Sequence, residues 1–100
     1  MEINEFQKLM SDLYRDADDN RGIASTIAWL TEELGELSQA VRKGSKSEQE
    51  HELGDVLAWL ASLANQLEID LESTTSRFVD SCPSCAKMPC GCKTSSHNPS

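Results

Sequence analysis

Basic residues are scarce in this 100-residue chain, where nine lysines and arginines face 17 acids for a formal net charge of −8. That balance argues against nucleic acid or an anionic membrane as a partner. No apolar run is long enough to span a bilayer, and no charged-then-apolar leader precedes the first helical pattern. A cytoplasmic protein is expected. Strand-like alternation, internal repeats and a Gly-rich phosphate loop are all missing, so the expected fold class is all-α. No Ser–His pair is marked and every cysteine lies beyond residue 80, which leaves covalent catalysis without a supporting constellation.

Charge divides the chain in two. All 17 acids fall within residues 1–80, together with seven bases, for a balance of −10; residues 81–100 carry only Lys87 and Lys93. The first segment has helical periodicity, and the second is Cys, Pro, Gly, Ser and Lys with little apolar content. A helical domain over residues 1–80 and a non-helical, Cys-rich, partly disordered tail over 81–100 are expected, with 94–100 disordered.

Four helices are expected in the body. The first spans Ile3 to Ala17, with Phe6, Leu9, Met10, Leu13 and Tyr14 at helical spacing, and is broken by Asp18, Asp19, Asn20 and Gly22. The second spans Ala24 to Lys43, with Ile27, Leu30, Leu34, Leu37 and Val41 as its buried stripe. Gly44 stops it. The third spans Ser47 to Leu67, opened by a Ser47/Glu50 capping box and carrying a broad apolar face from Leu53 to Leu67. A short fourth, Leu71 to Val79, is weakened by Ser73, Thr74, Thr75 and Ser76. So small a core is marginal alone, so the helical hairpin is expected to complete its bundle as a homodimer or homotetramer.

Two pairs of carboxylates stand out: Glu33 and Glu36 on the second helix, Glu52 and Asp55 on the third. Three-residue spacing puts each pair on one helix face. Glu33 and Glu36 lie 12 and 9 residues before Ser45, and Glu52 and Asp55 lie 7 and 10 after it, so the pairs meet at nearly one height if the helices fold back. Converging anions repel, and hard oxygen ligands of this kind select Mg²⁺ or Mn²⁺.

The double motif, Glu32-Glu33-Leu34-Gly35-Glu36 followed by Glu52-Leu53-Gly54-Asp55, resembles the EExxE…ExxD signature of the MazG-like nucleotide pyrophosphohydrolases. The likeness runs from about Arg21 to Leu71. It implies that Glu33, Glu36, Glu52 and Asp55 hold Mg²⁺ and that a nucleoside triphosphate is cleaved to monophosphate and pyrophosphate. Metal-assisted attack by water would need no nucleophilic side chain. A non-enzymatic helical module for metal binding or interaction is the alternative of a different class.

Several residues around this signature admit two readings. Glu32, rotated about 100° from Glu33, either orients the attacking water as a catalytic group or faces solvent. Trp29 and Trp59 fall on the same side of the acidic layer, where they stack on a nucleobase or fill the bundle. Asn65 reads a base edge or faces water. Arg42 and Lys43, with Lys46, receive the outer phosphates or complement a helix C-terminus. Glu48 and His51 form the ExxH pattern of di-iron bundles, which normally occurs twice, whereas the other histidine, His97, lies in the tail. Cys82, Cys85, Cys90 and Cys92 could hold Zn²⁺, although the second pair is cramped; free thiols or reversible disulfides are the alternatives. Many MazG-like chains carry several bases after the third helix, and here only Arg77 stands between Lys46 and the tail, which leaves the source of phosphate-binding charge open.

Overall fold

The computed structural model of the chain describes residues 1–92; the disorder expected over 94–100, together with Lys93 and His97, lies outside the described residues. Among the described residues there are three α-helices, α1 (Ile3–Arg21), α2 (Ile23–Lys43) and α3 (Lys46–Leu67), then a 3-10 helix over Glu72–Phe78, and no strand. The fold is all-α, as the periodicity requires. No helix among the described residues is long and apolar enough to cross a membrane.

Helix α1 does not break at Asp18. It continues to Arg21 because the Asp18 side chain, only 2% exposed, accepts a hydrogen bond from Arg21 Nη1 at 2.9 Å. The Asp18 carbonyl accepts from Gly22 N–H at 3.0 Å and from Gln66 Nε2 of α3 at 2.7 Å. Gly22, with φ 90° and ψ 159°, ends α1 and caps α2 in a single residue. Its backbone lies in a region nearly reserved for glycine.

The α2–α3 turn has only two residues, Gly44 and Ser45. Gly44 N–H donates to Ala40 O at 2.8 Å, and a Cβ on Gly44 would meet that oxygen at 2.8 Å and Ala40 Cα at 2.9 Å. The capping box is Ser45/Glu48, two residues earlier than the expected Ser47/Glu50: Glu48 N–H donates to Ser45 Oγ at 3.1 Å, and Ser45 N–H to Glu48 Oε1 at 3.2 Å. Ser45 already has the extended backbone of an N-cap, so α3 starts at once. Helices α2 and α3 form the hairpin, and α1 packs chiefly on α3.

Burial departs from expectation. The buried apolar residues are Met10, Ala40, Ala61 and Ala64, accompanied by the polar Gln7, Asp18, Thr26, Ser62 and Asn65. Ile27, Leu34 and Val41 of the expected α2 stripe are exposed, Val41 to 63%, as are Leu53, Leu57, Leu60 and Leu67 on α3 and Leu9, Leu13 and Tyr14 on α1. The helical pattern is right, but one copy of three helices does not enclose these faces. Polar clamps fix the ends instead. Gln7 Nε2 donates to Asn65 Oδ1 at 3.1 Å and to Ile69 O at 2.8 Å, while Asn65 Nδ2 donates to Gln7 O and Leu71 N–H to Gln7 Oε1.

The fourth helix is a 3-10 helix for a local reason. Hydroxyls of Ser73, Thr74, Thr75 and Ser76 each donate to the carbonyl three residues back, at 2.6 to 3.0 Å. Such bonding competes with the α-helical ladder and suits the tighter winding.

Candidate active site

The one-turn return at Ser45 brings the two acidic pairs together. Oxygens of Glu33, Glu36 and Glu52 lie within 4.8 Å of one another, and so do ligand atoms of His51, Glu52 and Asp55. Asp55 interacts electrostatically with both Glu33 and Glu52, so all four carboxylates share one patch. Glu33 and Glu52 are half-buried, and each has an Oε2 without a hydrogen-bond partner. Burial raises the pKa of Glu33, and the charges of Glu36 and Asp55 raise it further. Burial raises Glu52 too, assisted by its hydrogen bond with Glu36.

Buried carboxylate oxygens without donors are costly. A small divalent cation would satisfy them and relieve the repulsion, so the residues present fit a hard-cation site. His51 Nε2 stands 3.3 Å from Asp55 Oδ2. Glu48, the other member of the ExxH pattern, is instead engaged in capping α3.

Trp29 and Trp59 stack with ring centroids 6.1 Å apart and planes 14° from parallel, and Trp29 remains 47% exposed. The register counted from Ser45 accounts for this meeting. Sequence reasoning missed Arg21, whose guanidinium lies 4.6 Å from the Trp59 ring centroid while Nη1 holds Asp18 Oδ1 and reaches Thr26 Oγ1 at 3.2 Å. A cavity of about 300 Å³ lies here, lined in part by Tyr14, Asp18, Arg21, Asp55 and Trp59. The visible signal was Asp18-x-x-Arg21 ahead of a glycine, an i, i+3 ion pair at a helix end.

On the opposite side of the acidic layer, a cleft of about 760 Å³ opens at the hairpin turn between Glu36, Glu52, His51 and Lys43. Lys43 faces this cleft and Arg42 does not line it. Glu32 is exposed and belongs to none of the metal-spaced groups among the described residues. Asn65 is buried and its amide is bonded to Gln7, away from the acidic patch.

The four cysteines are free thiols gathered at one place, with sulfurs within 4.8 Å of one another. Backbone N–H groups of Cys85 and Ser84 point at the Cys82 sulfur and pull its pKa down to about 6. Hydrogen bonding with Cys90 and Cys82 pushes Cys92 up to about 12.

Residues 21–88 match the family model of the MazG nucleotide pyrophosphohydrolase domain. The chain is also similar to "Uncharacterized protein YpjD" of Bacillus subtilis (strain 168), 44% identical over 63 residues, covering 53% of this chain and 57% of that relative. The chain thus spans little more than half the length of that relative.

Proposed function

The chain belongs to the MazG nucleotide pyrophosphohydrolase domain family, and from that premise we propose that it hydrolyses a nucleoside triphosphate, ribo or deoxy, to the monophosphate and pyrophosphate in nucleotide-pool housekeeping. The observation that carries the reading is the convergence of Glu33, Glu36 and Glu52 with two partnerless buried oxygens, between a stacked tryptophan pair and an open cleft. Glu33, Glu36, Glu52 and Asp55 would hold Mg²⁺, or Mn²⁺. The ion would supply neutralisation of the triphosphate charge and activation of water.

The protein groups divide the remaining tasks. The exposed face of Trp29 offers a platform for the base, and Trp59, braced by Arg21, supports it from behind. Lys43 at the cleft faces the outer phosphates, with Arg42 as a second cation at the same helix end. Glu32 is the side chain available to orient water from the solvent side. Asn65 acts indirectly, by fixing the end of α3.

The exposed stripes on α2 and α3 support assembly with a second copy, as a homodimer or a tetramer built from it. We place the protein in the cytoplasm, whose reducing conditions would keep the four cysteines from forming stable disulfides. Residues 1–80 would form the catalytic domain and 81–100 an appendage. The deciding assay offers a panel of NTPs and dNTPs with Mg²⁺ and resolves monophosphate from diphosphate. Pyrophosphate release that disappears in Glu36→Gln and Asp55→Asn supports the reading. Inactivity across the panel would favour the non-enzymatic metal-binding module instead.

A further inference from the structure

Outside the acidic patch, the densest group of metal-ligating side chains is the cysteine cluster. Two short turns build it. In the first, Ala86 N–H donates to Cys82 O at 2.7 Å and Cys82 N–H to Lys87 O at 3.0 Å, closing residues 82–87 into a loop. Ala86 takes a left-handed backbone, φ 62°, immediately after Cys85. Within this loop the Ser84 and Cys85 amides bond to the Cys82 sulfur. In the second, Gly91 N–H donates to Cys85 Sγ at 3.2 Å and Cys92 N–H to Cys90 Sγ at 3.3 Å. Amide donors therefore reach three of the four sulfurs.

We propose that Cys82, Cys85, Cys90 and Cys92 bind one zinc ion in a closed tetrahedral site that fastens the segment after the helical body. The spacing that looked cramped in sequence is resolved by the fold. Cys92 returns across the cluster until its sulfur stands 3.8 Å from that of Cys82. Zinc–sulfur bonds of about 2.3 Å in a tetrahedron require sulfurs about 3.8 Å apart. The remaining sulfurs, all within 4.8 Å, need to close by about an ångström or less. Four protein ligands leave no open position, so the ion is structural, not catalytic. The amide donors offset thiolate charge, as they do for carboxylates at helix caps. Lys87 adds a cation: its side chain lies across Gly91, where a Cβ would meet Lys87 Cδ at 2.7 Å. This site depends on nothing in the nucleotide-hydrolysis reading.

The test uses the full chain, reduced and stripped of metal, then titrated with Zn²⁺ in competition with a chromophoric chelator and separately with Co²⁺. About one zinc per chain, and a Co²⁺ spectrum with the intense visible bands of tetrahedral thiolate, are expected. Cys82→Ser and Cys92→Ser should lose both while keeping wild-type helical circular dichroism. Glu36→Gln should keep both, which separates this ion from any in the acidic patch. Failure of the reduced chain to compete with the chelator would overturn the proposal. So would full zinc stoichiometry in both cysteine variants, or a weak octahedral Co²⁺ spectrum. Limited proteolysis gives a second readout: zinc should protect residues 82–92 at least tenfold in rate, and equal cleavage with and without zinc would refute the fastening role.

Discussion

Replacing Asp18 with alanine would test whether a buried ion pair, and not an apolar core, fixes the α1–α2 corner. Asp18 is 2% exposed, and its partner Arg21 is 24% exposed. Removing one member of a fully buried pair costs about 3–5 kcal/mol. Arg21 can recruit water on its open side and keeps Thr26 Oγ1 at 3.2 Å, so about 2–3 kcal/mol is the appropriate figure here. At about 4–8 °C per kcal/mol for a domain of this size, the melting temperature should fall by about 8–24 °C. Urea unfolding of Asp18→Ala, Arg21→Met and the double variant gives the coupling directly. A coupling of at least about 1 kcal/mol is expected for groups in contact. A coupling below about 0.3 kcal/mol, the scatter of independent sites, would refute the reasoning. The nearby Trp59 fluorescence is a built-in reporter, because Arg21 over the ring loses one of its two anchors.

Gly44→Ala should destabilise the hairpin by about 1–3 kcal/mol, the usual cost of overpacking, since its Cβ meets Ala40 backbone; an unchanged urea midpoint would count against the close approach. In metal-free protein, the raised pKa values of Glu33 and Glu52 mean that the folded state holds their protons more tightly than the unfolded state. Their contribution to stability is complete below the ordinary 4.5 and is lost as pH rises through the raised values, so melting points should climb on acidification from neutral toward that pH. Glu36→Gln should flatten that dependence and abolish the melting-temperature increase given by Mg²⁺, which for wild type at 100 times Kd is worth about 2.7 kcal/mol. Dilution monitored by light scattering should reveal dissociation of a dimer, and a monomer persisting at micromolar chain would contradict the proposed cover for Leu34, Val41, Leu53 and Leu57.

The acidic patch was legible because it depends on local rules only: i, i+3 spacing, a glycine stop at Gly44, and distances on either side of Ser45 that match to within two residues. The Trp29–Trp59 stack follows from the same count. What the sequence concealed was tertiary. Asp18 looks like a helix breaker until Arg21 three residues on takes its Oδ1 and Gln66 on another helix takes its main-chain carbonyl, with Oδ2 left unpartnered. Asn65 looks like a free polar group until Gln7, 58 residues away, takes its amide. The capping box was misplaced by two residues because Ser45 and Ser47 are each followed three residues later by glutamate, and only the tightness of the Gly44 turn chooses between them. The apolar stripes keep their helical spacing, but Ile27, Leu34 and Val41 of the expected buried stripe on α2 are exposed, because helical spacing does not say what covers a face.

The raised proton affinity of Glu33 and Glu52 has a calorimetric consequence at any pH where they are partly protonated. A cation entering between these carboxylates must displace whatever hydrogen ions they carry, so its uptake acidifies the solution. The surrounding buffer captures what is released, and its own heat of ionisation enters the measured heat. Titrations of the same ion at one pH in phosphate and in Tris would then report different apparent enthalpies for one affinity. The slope of apparent enthalpy against buffer ionisation enthalpy counts the hydrogen ions displaced, a stoichiometry set by the crowding of carboxylates around Glu36.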